Sequence, residues 1–97
     1  MNLAEFEDSL VNSRPPADLS SAQLALWWAG KGAWDKAHKV VMDQGGKDCA
    51  WVHAYLHRLE GDLDNARYWY RQAGRTPSQA ASDAEWKTIA RSLLDAP

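Results

Sequence analysis

An all-α domain built from stacked helical hairpins is what this 97-residue sequence predicts, and three observations carry that expectation. Apolar residues recur at helical spacing in successive segments along the chain. Those segments are punctuated by N-cap residues, glycine or proline, and none alternates apolar and polar residues for long enough to make a half-buried strand. A chain of this length forms about one small domain around one core, expected over residues 1–97. Apolar residues make up 45% of it and charged residues 25%, the proportions of a folded chain and not of a disordered one. Tryptophan is over-represented: Trp27, Trp28, Trp34, Trp51, Trp69 and Trp86 supply large buried areas in a chain with a single phenylalanine.

The first helix is expected over residues 2–13. Leu3, Phe6, Leu10 and Val11 fall at helical spacing, Asn2 and Glu5 are placed as a capping box, and Arg14-Pro15-Pro16 stops the run. A first hairpin spans residues 20–45. Its start is marked by Ser20 and Gln23 as a second capping box, with Leu19 and Leu24 positioned as a hydrophobic staple. That helix carries Leu24, Trp27 and Trp28 and breaks at Gly30-Lys31-Gly32. Trp34, Ala37, Val41 and Gln44 then trace a second stripe that Gly45-Gly46 ends.

A second hairpin spans residues 48–74. Asp48 is the expected N-cap of its first helix, which presents Val52, Tyr55, Leu56 and Leu59 and stops at Gly61. Asp62 caps the next helix, whose stripe is Leu63, Ala66, Tyr70 and Ala73, with Gly74 as terminator. The last helix is expected over residues 77–95, from a Thr76-Pro77-Ser78-Gln79 capping box, with Ser82 to Glu85 as a competing start. Trp86, Ile89, Ala90, Leu93 and Leu94 form its apolar face.

The two hairpins repeat each other. Residues 25–45 laid over 54–74 match Ala25 with Ala54, Gly32 with Gly61, Asp35 with Asp64, Ala37 with Ala66 and Gly45 with Gly74. These coincidences fall on turns, caps and small packing residues, as a duplicated helical hairpin requires. On Leu24-Ala25, Trp28 and Ala37 in the first hairpin, and Ala54, Ala66, Tyr70 and Ala73 in the second, the chain resembles tetratricopeptide and Sel1-like repeats; the segment Ala66 to Ala73 is similar to the A-x-x-W-Y-x-x-A stretch of the latter. The resemblance covers residues 20–77. It departs at His53 and His57, which stand where the family has leucine and an aromatic, at Val41, and in the shorter period. It implies two antiparallel TPR-like hairpins flanked by an N-terminal and a C-terminal helix, working as a protein-protein interaction module.

Composition narrows the function classes. Eleven basic against 13 acidic side chains give a net charge of -2, without the basic excess that phosphate binding draws on, so no nucleic-acid partner is expected. Cys49 is the single cysteine, which rules out an internal disulfide. Residues 1–14 lack an apolar run and no stretch approaches about 20 apolar residues, so neither a signal peptide nor a membrane span is expected, and a cytoplasmic setting follows as the default.

Cys49, His53 and His57 occupy i, i+4 and i+8 of one helix and invite a metal or thiol-imidazole reading. The first and last stand about 12 Å apart along the axis, too far for one ion whose ligands approach within about 2.0–2.3 Å. A His53–His57 pair with His38 as third ligand is the remaining metal arrangement. A Cys49 nucleophile activated by His53 lacks any visible oxyanion hole. The expectation is therefore a non-enzymatic chain with no catalytic residues, no metal ligands and no cofactor. Its alternatives are a small helical enzyme or metal protein using Cys49, His53 and His57, and a self-associating structural protein in which the helix from Trp86 to Leu94 packs on a second copy.

Arg67, Arg71 and Arg75 are read as a solvated face in which Asp64 pairs with Arg67, in preference to an anion clamp. In the family resembled, the first helix of each hairpin lines a concave surface. The positions matching it are Leu26 and Ala29 in the first hairpin and Trp51, Tyr55 and Arg58 in the second, which makes them the candidate partner-binding residues for a protein or peptide. The competing reading places Trp51 and Tyr55 in the core beneath a terminal helix.

Overall fold

The structure is a computed structural model that describes residues 1–95; positions 96 and 97, the end of the expected 1–97 domain, lie outside the described residues. Among those described there are six α-helices and no strand: α1 (Leu3–Asp8), α2 (Ser21–Gly30), α3 (Trp34–Asp43), α4 (Lys47–Leu59), α5 (Leu63–Ala73) and α6 (Ser82–Asp95), with a 3-10 turn at Ser9–Val11. The radius of gyration is 12.2 Å, close to the roughly 12.5 Å of a compact chain of this length.

Local chemistry sets most of the helix starts. Asn2 with Glu5 and Ser20 with Gln23 form reciprocal capping boxes, each satisfying two backbone N–H groups that the first helical turn leaves free. The Asp62 side chain accepts from the Asn65 N–H at the head of α5, and Gly74 ends that helix at φ 71°, a left-handed conformation that glycine adopts without steric cost.

Three expected boundaries are corrected, and tertiary bonds explain two of them. The first helix stops at Asp8 instead of residue 13. The Lys31 ammonium takes the Leu10 and Asn12 carbonyls at 2.6 and 2.8 Å, and Ser9 Oγ donates to the Phe6 carbonyl while accepting from Trp27 Nε1. The last helix begins at Ser82, not at residue 77, because residues 75–81 are held as an irregular strap: Arg58 donates to the Ala80 carbonyl and the Tyr55 hydroxyl to that of Ser82. In α4 the N-cap is Gly46 at φ 102°, which places Asp48 inside the first turn.

The core is organised around α4. Every residue from Cys49 to His57 is buried, so this helix has no solvent face over that length; α2, α3, α5 and α6 all pack on it. Phe6 stacks on Trp86 with ring centres 5.6 Å apart, and Trp86 Nε1 donates to the Leu26 carbonyl at 2.8 Å, which ties α1 and α6 to α2. At Gly30 the side chains of Leu10 and Trp86 come so close that a Cβ would meet both at 3.0 Å. Of the adjacent tryptophans, Trp27 is fully buried, whereas Trp28 is half-buried with Lys36 over its ring. Leu59 and Leu63, placed on apolar stripes by their spacing, are exposed where α4 ends and α5 begins.

Glu85 on α6 is a buried carboxylate, 3% exposed. It accepts from Arg58 at 2.6 Å and from the Tyr70 hydroxyl, so its charge is both paired and hydrogen-bonded. Glu85→Ala strands Arg58 and Tyr70 together and is expected to cost about 3 kcal/mol, read as a lower urea midpoint at unchanged slope. A loss below about 1 kcal/mol would show that the pair is no stronger than a surface ion pair.

Candidate metal centre

His53 and His57 are one turn apart on α4 and therefore share a face. Helix α3 crosses that face and presents His38. The three rings form a near-equilateral group: the centres are 4.9 Å apart for His38–His53, 5.1 Å for His38–His57 and 4.9 Å for His53–His57. A nitrogen from each lies within 4.8 Å of the others, and His53 and His57 are buried while His38 is half-buried.

Two indoles position the rings. Trp34, one turn before His38, stacks on it at 4.6 Å and meets His57 edge-on at 5.9 Å. Its Nε1 donates to the Leu56 carbonyl at 2.7 Å, which fixes it against α4. Trp69 from α5 stacks on His53 with centres 3.9 Å apart.

The spacing suits a shared ion. With metal–nitrogen bonds of about 2.0–2.1 Å and each ring centre about 1.1 Å further out, tetrahedral ligation puts ring centres about 5.2 Å apart. The centres already have that separation, and the nitrogens, within 4.8 Å of one another, would close to an edge length of about 3.3 Å around a bound ion.

Protonation favours ligation as well. His57 Nδ1 lies 2.6 Å from Glu60 Oε1. A carboxylate only accepts, so Nδ1 donates to it and Nε2 is the ring nitrogen turned free for a metal, the arrangement of carboxylate-backed metal histidines. Burial, then the neighbouring His57 and His38, lowers the His53 pKa to about 4, and burial with His57 also lowers that of His38. His53 is thus neutral at pH 7, and its Nδ1 is buried without a hydrogen-bond partner, a costly state for a polar atom that a ligand bond would relieve.

This cluster overturns the expectation that the chain is non-enzymatic and favours the alternative reading, a small helical enzyme or metal-binding protein using His53 and His57. Three imidazoles meet in geometry suited to a metal ion, consistent with metal binding or metal-dependent catalysis. The single-helix distance argument separates Cys49 from His57 but does not see the third donor, which arrives from α3. Cys49 stays outside the cluster, and burial followed by Asp48 raises its pKa, away from the reactive thiolate.

The candidate partner-binding residues are placed as follows. Trp51 and Tyr55 are buried, with the Arg75 guanidinium over the Trp51 ring, and Arg58 is bound to Glu85 and Ala80. These three come together on the α4 face turned toward α6 and the strap. Leu26 is fully buried apart from them, and half-buried Ala29 lines a small cavity with Tyr55 and Trp86. Arg67 pairs with Asp64, as expected of a solvated face.

No family model matches the chain, and searches of curated proteins and of solved structures found no match. Among the described residues no helix is long and apolar enough to cross a membrane.

Because the folded His53 pKa of about 4 lies below its unfolded value of 6.5, the unfolded chain binds more protons between those values. Stability is full above pH 6.5 and falls as pH drops through that window, by about 3 kcal/mol from this group. Urea titrations of metal-free protein at a series of pH values are expected to show this slope, and His53→Gln is expected to flatten it. An unchanged slope in the variant would assign the acid sensitivity elsewhere.

Proposed function

We propose that the protein is a helical metal-binding module in which His38, His53 and His57 hold one divalent transition-metal ion, with zinc as the first candidate. The observation that carries this reading is the triangle of ring centres at 4.9–5.1 Å, formed across two helices and braced by two stacked indoles. Imidazole donors suit zinc, copper, nickel and iron, and the cluster contains neither the thiolates of an iron–sulfur site nor the all-oxygen set of calcium or magnesium. Asp35 and Glu60 place negative charge beside half-buried His38, which favours approach of a cation from that side.

The hairpin repeat supports a second, architectural reading: a single domain of two stacked TPR-like hairpins. Helices α2 with α3 and α4 with α5 make the most extensive pairings. Repeat-equivalent Gly32 and Gly61 turn the chain at φ 77° and 83°. Helix α6 packs on α2 and α4, the first helices of both hairpins, so a peptide seeking the surface they share would have to displace it. That occlusion favours the metal reading over a peptide groove.

Calorimetric titration of metal-free protein with zinc is expected to give one ion per chain. His38→Ala and His53→Ala should abolish high-affinity binding, and Glu60→Gln should weaken it about 10–100-fold through the hydrogen bond to His57. Saturation at about 100 times the dissociation constant adds about 2.7 kcal/mol to stability, visible as a raised melting temperature. Absence of binding, or binding unchanged in His38→Ala, would refute the assignment.

A further inference from the structure

A cavity of about 420 Å³ lies between the strap and helices α4 and α5, within the range of about 300–1,000 Å³ ordinary for small-molecule sites. Its wall divides by chemistry. Leu63, Ala66 and Tyr70 from α5 and Pro77 from the strap supply apolar surface, while Thr76, Ser78 and Gln79 supply hydroxyl and amide groups. Arg58 from α4 and Arg67 from α5 add two guanidinium groups, and no carboxylate is among the lining residues.

The two cations are held differently. Arg58 donates through Nη1 to buried Glu85 at 2.6 Å and through Nη2 to the Ala80 carbonyl, which orients the guanidinium and leaves further N–H donors without a partner among the described residues. Glu85 itself lines a separate cavity with Trp51 and Arg75, so the carboxylate that positions Arg58 is not part of this wall. Arg67 pairs with Asp64 one turn away, a carboxylate 91% exposed, and an ion pair of that kind is weak enough for a ligand to replace. Leu63, 54% exposed, has no place in the core, and it stands on the wall of this cavity beside the two guanidinium groups.

From this lining we infer that the cavity binds a small amphiphilic carboxylate, a free organic acid whose carboxylate lies on Arg58 and Arg67 and whose short aliphatic or aromatic body lies against Leu63, Ala66, Tyr70 and Pro77. A guanidinium selects a carboxylate because its planar fork donates paired N–H groups to the two oxygens. The apolar wall selects against an inorganic anion, whose hydration it could not replace. With Glu85 already set against Arg58, the lining has one positive charge beyond that pair, from Arg67, which matches a monoanionic carboxylate better than a dianionic phosphate. None of His38, His53 and His57 lines this cavity, so the site is distinct from the histidine cluster and needs no metal.

The test is a titration of the full, metal-free chain with sodium hexanoate and with sodium benzoate, followed by heteronuclear NMR. Saturable binding of one molecule per chain is expected, with shift changes at Leu63, Ala66, Thr76 and Gln79. Hexanol and hexylammonium, which keep the body without the negative charge, and inorganic phosphate, which keeps the charge without the body, are expected to bind about tenfold more weakly or less. Arg67→Ala removes an exposed side chain and is expected to weaken hexanoate about tenfold at an unchanged melting temperature; Leu63→Asp is expected to do the same by setting a like charge beside the ligand. No saturable binding, shift changes confined to residues away from this wall, or hexanoate affinity unchanged in Arg67→Ala overturns the inference. Hexanol or phosphate binding as tightly as hexanoate overturns it too. Both variants retain all three imidazoles, so zinc binding by the same chain succeeds or fails independently of this result.

Discussion

The enclosure of α4 is the constraint on which the rest of the structure depends. A helix on the surface of a small domain buries one stripe and solvates the other, but α4 buries every residue from Cys49 to His57. Its polar side chains must therefore find partners inside the protein. Arg58, at the margin of this stretch, finds Glu85. His53 finds flat indole and imidazole faces, with no hydrogen bond at Nδ1. An imidazole is the polar side chain best able to accept such a position, because it discards its charge at modest cost and remains a donor of electron pairs.

The two faces of α4 consequently differ in kind. Toward α6 lies a closed ionic network of Arg58, Glu85 and Tyr70 that anchors the strap and the last helix. Toward α3 and α5 lies an aromatic box in which ring stacking takes the place of a hydrogen bond at His53 Nδ1. The first secures the fold by satisfying its buried groups; the second leaves a coordinating atom unsatisfied, and unsatisfied buried polar atoms call for an explanation beyond packing.

The helical class, the two capping boxes, the Asp62 cap and the Gly74 terminator were legible in the sequence because each is a local interaction among residues a few positions apart. The C-terminal end of the first helix and the start of the last were not, since Lys31, Arg58 and Tyr55 decide them from distant positions. The same division holds for the site. His53 and His57 stand out at i and i+4, while His38, Trp34 and Trp69 join them only through packing. One signal was available: α3 and α4 are joined by a short connection and hence antiparallel, and His38 and His53 lie nearly equidistant from Gly45, which sets them opposite each other. Trp51, Tyr55 and Arg58 share a face of α4, as their spacing requires, but periodicity carries no information on which neighbour covers that face.

The three histidines do not follow the 29-residue spacing that aligns the two hairpins. At the positions that the repeat makes equivalent to His38, His53 and His57 stand Arg67, Leu24 and Trp28, so neither hairpin carries a copy of the other's donors. The triad is asymmetric between the two units and exists only at their junction. Appending a further copy of either hairpin would lengthen the array without creating a second coordination sphere. A single hairpin excised from the chain would retain at most two of the three imidazoles.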